Sequence, residues 1–200
     1  MPKKLILIRH GQTNDNLEQR YSGFADTCLN EYGLRQAKLL GRKLKSLGIE
    51  KAFSSNLKRA LDFARISFGS TDVEAVPDLK EMNFGIFEGM NYSEIMKKYP
   101  DIYNRWLNNC FETKAPNGES FNDLKKRVLR AFRKIVHAKK HNVCMIVTHS
   151  GPIRVILGEV LKIENIWDLT PKSGGVTILE FSKGAGKVLL LNDDSYLNNE

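Results

Sequence analysis

The chain is poor in cysteine. Its three, Cys28, Cys110 and Cys144, show no C-x-x-C spacing and include one inside an apolar run, so neither a disulfide framework nor a zinc knuckle is expected. Long hydrophobic runs are also lacking. The apolar run after Lys3-Lys4, Leu5 to Ile8, is too short for a signal-peptide core or a membrane span, which predicts a soluble, cytoplasmic protein without membrane contact. No G-x-x-x-x-G-K-[ST] loop occurs, despite Gly184-Ala185-Gly186-Lys187, and Ser150 does not sit in G-x-S-x-G. Neither His10 nor His149 is accompanied by an H-x-x-x-H pair or a carboxylate cluster, so no metal and no cofactor is expected. A thiol nucleophile with an arginine six positions on is excluded by counting, since Leu34 follows Cys28 and Ser150 follows Cys144 at that interval. Repeats and low-complexity linkers are absent, and 200 residues at 42% hydrophobic suit one domain over 1–200.

Positive charge is in excess. A net charge of +8 and a pI near 9.4 favour an anionic partner, either a phosphorylated metabolite or nucleic acid. Much of that charge, in Lys125, Lys126, Arg127, Arg130, Arg133 and Lys134, falls at helical spacing and reads as a solvated face.

Two stretches carry the informative pattern. Leu5-Ile6-Leu7-Ile8 reads as a strand buried on both faces and runs into Arg9-His10-Gly11; Val143 to Val147 reads the same way and delivers Thr148-His149-Ser150-Gly151. Ligands collect at the carboxyl ends of strands in open α/β sheets, so both histidines stand where a substrate is expected. Arginine offers permanently charged planar donors to phosphoryl oxygens, a neutral imidazole can attack phosphorus, and glycine lets backbone approach an anion.

The other elements alternate. A polar loop spans Gln12 to Asn30; a helix runs from the N-cap Asn30 to Gly48, a strand over Lys51–Ser55, a helix over about Leu57–Phe68 and a strand over Val73–Val76. One or two short helices are expected within Tyr92–Phe111, anchored by Tyr99, Tyr103, Trp106 and Phe111, in a cap-like insertion at about 91–117. A long helix follows over Glu119–Lys140 and another over Pro152–Leu161. Two closing strands, Gly175–Phe181 and Lys187–Leu191, are joined through Gly184-Ala185-Gly186. The order predicts a three-layer α/β/α sandwich with a mostly parallel central sheet and an antiparallel edge. Lys58 and Arg59 in the first turn of a helix oppose its dipole and call for a nearby anion. Glu88 reads as a cap or a partner for a surface cation, Asp26 as a turn former, and His137 and His141 as surface residues.

Arg9-His10-Gly11-Gln12-Thr13 with Asn16, Ser54-Ser55-Asn56-Leu57-Lys58-Arg59-Ala60, Glu81 with Phe84-Gly85 and Glu88-Gly89, and Thr148-His149-Ser150-Gly151 together resemble the motifs of the histidine phosphatase superfamily in its phosphoglycerate-mutase-like branch. The match covers nearly the whole chain in order. Asn56, Cys28, Gln12 and Asp15 depart from the usual pattern without removing a catalytic group. The resemblance implies that His10 is the nucleophile that becomes phosphohistidine. Arg9, Arg59 and His149 would form a cationic pocket, with Asn16, Gly11 and Gly151 on the substrate side. Glu81 would protonate the leaving oxygen and then activate the hydrolytic water. The implied activity is hydrolysis of a small phosphorylated metabolite, with α-ribazole 5′-phosphate as one candidate. A bisphosphate-dependent phosphoglycerate mutase is the alternative, disfavoured because family mutases carry a longer insertion than the interval from Glu94 to Gly118 allows. A non-catalytic nucleic-acid or phospho-ligand binder is the alternative from another class. The expected partner is an anionic small molecule and no nucleic acid; a homodimer is left open.

Overall fold

The computed structural model describes residues 1–138, 140–163, 165–182 and 185–198. Six strands form one sheet: β1 (Lys4–Arg9), β2 (Lys51–Ser54), β3 (Val73–Ala75), β4 (Val143–Thr148), β5 (Val176–Ser182) and β6 (Ala185–Asp193). Their order is β3-β2-β4-β1-β5-β6, with the first four parallel and β5 antiparallel to both β1 and β6. The helices are α1 (Asn14–Leu17), α2 (Glu31–Leu44), α3 (Lys58–Phe68), α4 (Tyr92–Lys98), α5 (Pro100–Asn108), α6 (Phe121–His137) and α7 (Ser150–Leu161).

Alternation along β1 explains the three layers. Leu5 and Leu7 enter one apolar cluster with Leu124, Val128 and Phe132 of α6 and Ile153 and Ile156 of α7. Ile6 and Ile8 enter the other, with Ala37 and Leu40 of α2 and Ala60 and Phe63 of α3. Successive side chains point to opposite faces, so a run apolar at every position is required for burial on both. The helix after β1 thus covers one face and the helix after β4 the other. These two strands are neighbours, which makes their carboxyl ends a topological switch point with an open crevice.

The boundaries follow local chemistry. Asn30 accepts from the Gly33 amide to start α2, and Gly48 at φ +61° ends the 3₁₀ turn after it. Ser120 and Asp123 form a capping box that starts α6 at Phe121, two residues later than the expected Glu119. The loop Gln12–Asn30 contains one short helix, α1, because Thr13 and Asn16 cap each other reciprocally. α7 begins at Ser150, two residues before Pro152, with His149 as its N-cap. Ala185 and Gly186 lie in β6, Ala185 opposite Ser182; Gly184 of the expected turn lies outside the described residues. No helix among the described residues is long and apolar enough to cross a membrane.

Candidate active site

β1 and β4 pair in parallel with Arg9 opposite Thr148, so the residue after each strand arrives at the same place. The rings of His10 and His149 lie 4.9 Å apart between centroids, and both side chains are buried.

The two imidazoles differ in their partners. His10 Nδ1 is 2.7 Å from the Gly11 carbonyl. A carbonyl only accepts, so Nδ1 bears the proton and Nε2 the lone pair; Arg59 Nε donates to that Nε2 at 3.3 Å. A side chain at Gly11 would run into the Phe63 ring at 2.7 Å and the Gly33 carbonyl at 2.8 Å, so glycine is what lets this backbone sit flat against the core. His149 Nε2 is 2.8 Å from Ser55 Oγ, and that hydroxyl already accepts from the Leu57 amide. Among the described residues His149 Nε2 is the one acceptor within reach of that hydroxyl's proton, which puts the His149 proton on Nδ1. That Nδ1, like Arg9 Nε, is buried with no partner among the described residues. Unpartnered buried donors beside a lone pair fit a bound anion.

Burial pushes both imidazoles well below the usual histidine range, and the Arg59 cation adds to it in each. Burial and the nearby cations thus favour a neutral His149, where part of a cationic pocket was expected; an anion between the rings would favour its charged form.

Arg59 is held by a loop used from both sides. Glu88 accepts from the amides of Gly23 (2.9 Å), Phe24 (2.9 Å), Ala25 (3.1 Å) and Phe84 (2.9 Å). The same loop turns its carbonyls the other way, so Arg59 donates to Ser22 (3.0 Å), Gly23 (2.8 Å) and Ala25 (2.7 Å). Glu88 does close the 3₁₀ turn Gly85–Phe87, its amide donating to the Gly85 carbonyl, but its side chain is not a surface partner: it shapes the bed on which the guanidinium lies. Asp26 accepts from the Lys58 amide at 2.6 Å and supplies the anion that the cation-bearing start of α3 needs.

Glu81 faces the same space. Its Oε1 accepts from the Met82 amide at 2.9 Å, and both oxygens lie 3.2 Å from the Gly151 amide. Gly151 thus presents its N–H to Glu81. The segment before Glu81 is clamped by Arg127, which donates to the carbonyls of Asp78 (3.0 Å), Lys80 (2.8 Å) and Glu81 (2.7 Å) and makes a two-point pair with Glu119. Only 12% of the Arg127 side chain is exposed, which corrects its reading as part of a solvated face. Arg130 and Arg133 do lie on that face, paired with Asp78 and Glu159.

Asn16 Oδ1 accepts from the Thr13 amide at 3.0 Å, which leaves its Nδ2 as the donor end. Arg9 Nη1 donates to Pro171 O at 2.7 Å. A cleft of about 490 Å³ opens beyond Glu81, walled by Tyr21, Phe84, Trp106, Phe121 and Trp167 and edged by Ser150 and Arg154. Of the expected anchors, Tyr103 and Trp106 are core, while Phe111 is 39% exposed and packs on Phe121 and Trp167. Ser55, Glu88 and Arg127 contact the site residues, and Arg154 lines the adjoining cleft, in ways not read from the sequence. For Arg154 there was a signal, as the one basic residue in the mostly apolar helix Ser150–Leu161.

The model of the histidine phosphatase superfamily (branch 1) matches residues 5–194. A protein named bifunctional from Mycobacterium tuberculosis is 34% identical over 202 residues, covering 98% of this chain and 55% of its own, so the chain spans about half the length of the first curated relatives it matches. A metal-independent phosphoserine phosphatase from Arabidopsis thaliana is 32% identical, covering 90% of this chain and 78% of its own. Among solved structures, the α-ribazole phosphatase from Shigella flexneri superposes with a TM-score of 0.88 at 28% identity, over 95% of this chain and 96% of that one.

Proposed function

The chain belongs to the histidine phosphatase superfamily, and from that premise we propose that it is a metal-independent phosphomonoesterase working through a phosphohistidine at His10. The observation that carries this reading is the His10 tautomer: Nδ1 is committed to the Gly11 carbonyl, so the only lone pair is on Nε2. Arg59 donates to that atom, the His149 ring lies 4.9 Å from the His10 ring, and Arg9 is near enough to act on its charge.

In the first half-reaction Nε2 attacks phosphorus and the P–O bond to the leaving group breaks. Arg9, Arg59 and His149 donate to the phosphoryl oxygens, joined by Asn16 Nδ2, and Glu81 gives its proton to the departing oxygen. Phosphoryl transfer needs little beyond such positioning and charge stabilisation. In the second half-reaction the Glu81 carboxylate takes a proton from water, whose oxygen attacks phosphorus as the P–N bond breaks, and neutral His10 is restored. Gly151 acts by seating Glu81 and Gly11 by orienting His10. Residues 91–117 serve as a cap whose Trp106 and Leu107 wall the leaving-group cleft.

Rapid quenching with labelled substrate is expected to trap an acid-labile, alkali-stable phosphoenzyme with label on the peptide containing His10, absent from His10→Ala. Turnover is expected to survive excess EDTA. A panel of phosphomonoesters including α-ribazole 5′-phosphate and phosphoserine, with 3-phosphoglycerate isomerisation alongside, identifies the substrate. Label on the His149 peptide, or activity lost to chelation and restored by a divalent ion, refutes the reading; isomerisation outrunning phosphate release makes the chain a mutase.

A further inference from the structure

Arg154 has no role in the chemistry above, yet it stands at its edge. It leaves α7 one turn after Ser150, donates to Ser150 Oγ at 3.0 Å and to the Leu169 carbonyl at 2.8 Å, and lies over the Trp167 ring with Cζ 5.4 Å from the centroid. These contacts hold the guanidinium plane in one orientation. Among the described residues no carboxylate pairs with it; burial pushes its pKa down, and an ionised Glu81 is near enough to favour its charge. Arg154 and Trp167 both line the cleft beyond Glu81.

Glu81 is the only acidic side chain among the described residues lining that cleft, and the first half-reaction needs it protonated when substrate binds, so the cleft then offers no carboxylate to receive a substrate ammonium group. Apart from Ser150 and Cys110, the remaining wall is mainly aromatic and aliphatic. An apolar body gains by leaving water for such a wall, and a planar anion is what a fixed, half-satisfied guanidinium recognises.

We infer that the cleft is a leaving-group subsite for phosphomonoesters that carry a flat apolar body and a carboxylate, with Arg154 as the residue that reads the carboxylate and Trp167 as the platform that holds Arg154. This rests on the assignment of the phosphoryl pocket to His10, Arg9 and Arg59, but its test does not require turnover.

Benzylphosphonate and 4-carboxybenzylphosphonate have a C–P bond that cannot be hydrolysed, so calorimetry reports binding alone. The carboxylated compound is expected to bind wild-type protein roughly 10- to 100-fold more tightly, the worth of a charge-assisted hydrogen bond. In Arg154→Met that ratio is expected to fall to about 1, in Arg154→Lys to a partial value, and in Trp167→Leu, at a half-exposed position, to an intermediate one. Equal wild-type affinity for the two compounds, or a ratio that survives Arg154→Met, overturns the assignment. Absence of phosphatase activity with the ratio intact and lost in Arg154→Met would instead refute the catalytic reading and leave this one standing.

Discussion

Replacing Gly151 by alanine tests whether Glu81 acts on the leaving group. Gly151 has ordinary helical backbone, so the substitution brings no φ penalty, and alanine is the better helix former by about 1 kcal/mol. The added methyl would overlap Glu81 Oε1 and come within 2.9 Å of Leu124 Cδ2. To regain an ordinary 3.4 Å contact the carboxylate must retreat by about 1 Å, a displacement that costs on the order of 100-fold when it moves a reacting group. Crowding against Leu124 costs about 1–3 kcal/mol, partly offset by the helix gain, so the fold survives with Tm lowered by less than about 8 °C. Turnover of an alkyl phosphate, whose leaving oxygen needs a proton, is expected to fall about 100-fold. An activated aryl phosphate is expected to lose less than about 10-fold, because its leaving group departs as the anion. Steady-state phosphate release on the two substrates, beside Glu81→Gln, gives the comparison. Equal losses on both, with the protein folded, would show that Gly151 and Glu81 do not serve the leaving group.

Four further outcomes follow from the contacts around the site. Because burial and neighbouring cations hold His10 and His149 well below 6.5 in the folded chain, the unfolded chain binds more protons below that pH. Stability is therefore expected to be complete above about pH 6.5 and to fall with acidification by up to about 1.4 kcal/mol per pH unit for each histidine until its folded value is reached; urea titrations from pH 7 to 5 should show a shallower dependence in His149→Ala, and an unchanged slope contradicts the assignment. By the same token the acid limb of kcat/KM should lie below pH 6.5, since His10 stays neutral there. Arg127→Met removes the clamp on three carbonyls and strands Glu119, so a loss of about 3 kcal/mol is expected in urea unfolding, together with lower turnover that Arg127→Lys does not restore. Glu88→Gln sets an amide N–H₂ against backbone donors, and kcat/KM is expected to fall more than 10-fold while helical circular dichroism is kept; unchanged kinetics would show that the Ser22–Ala25 loop does not position Arg59.

Residues whose meaning lies in local pattern were legible in the chain alone. Continuous apolar runs at Leu5–Ile8 and Val143–Val147 already imply strands buried on both faces, and the Arg-His-Gly that follows the first declares its chemistry by residue type. The cation-bearing turn at Lys58-Arg59 implied a missing anion without saying which. What pattern does not contain is who faces whom across the fold. Asp26 as that anion, Glu88 and Arg59 gripping opposite sides of one loop, Arg127 reaching from a seemingly solvated helix face to the carbonyls before Glu81, and Ser55 setting the proton of His149 all join segments tens of residues apart. Hydrogen bonds are short and directional, so they exist only once packing has fixed both partners to within a fraction of an ångström. Spacing along the chain determined which groups were available; the sheet order that sets β4 beside β1 decided which of them meet.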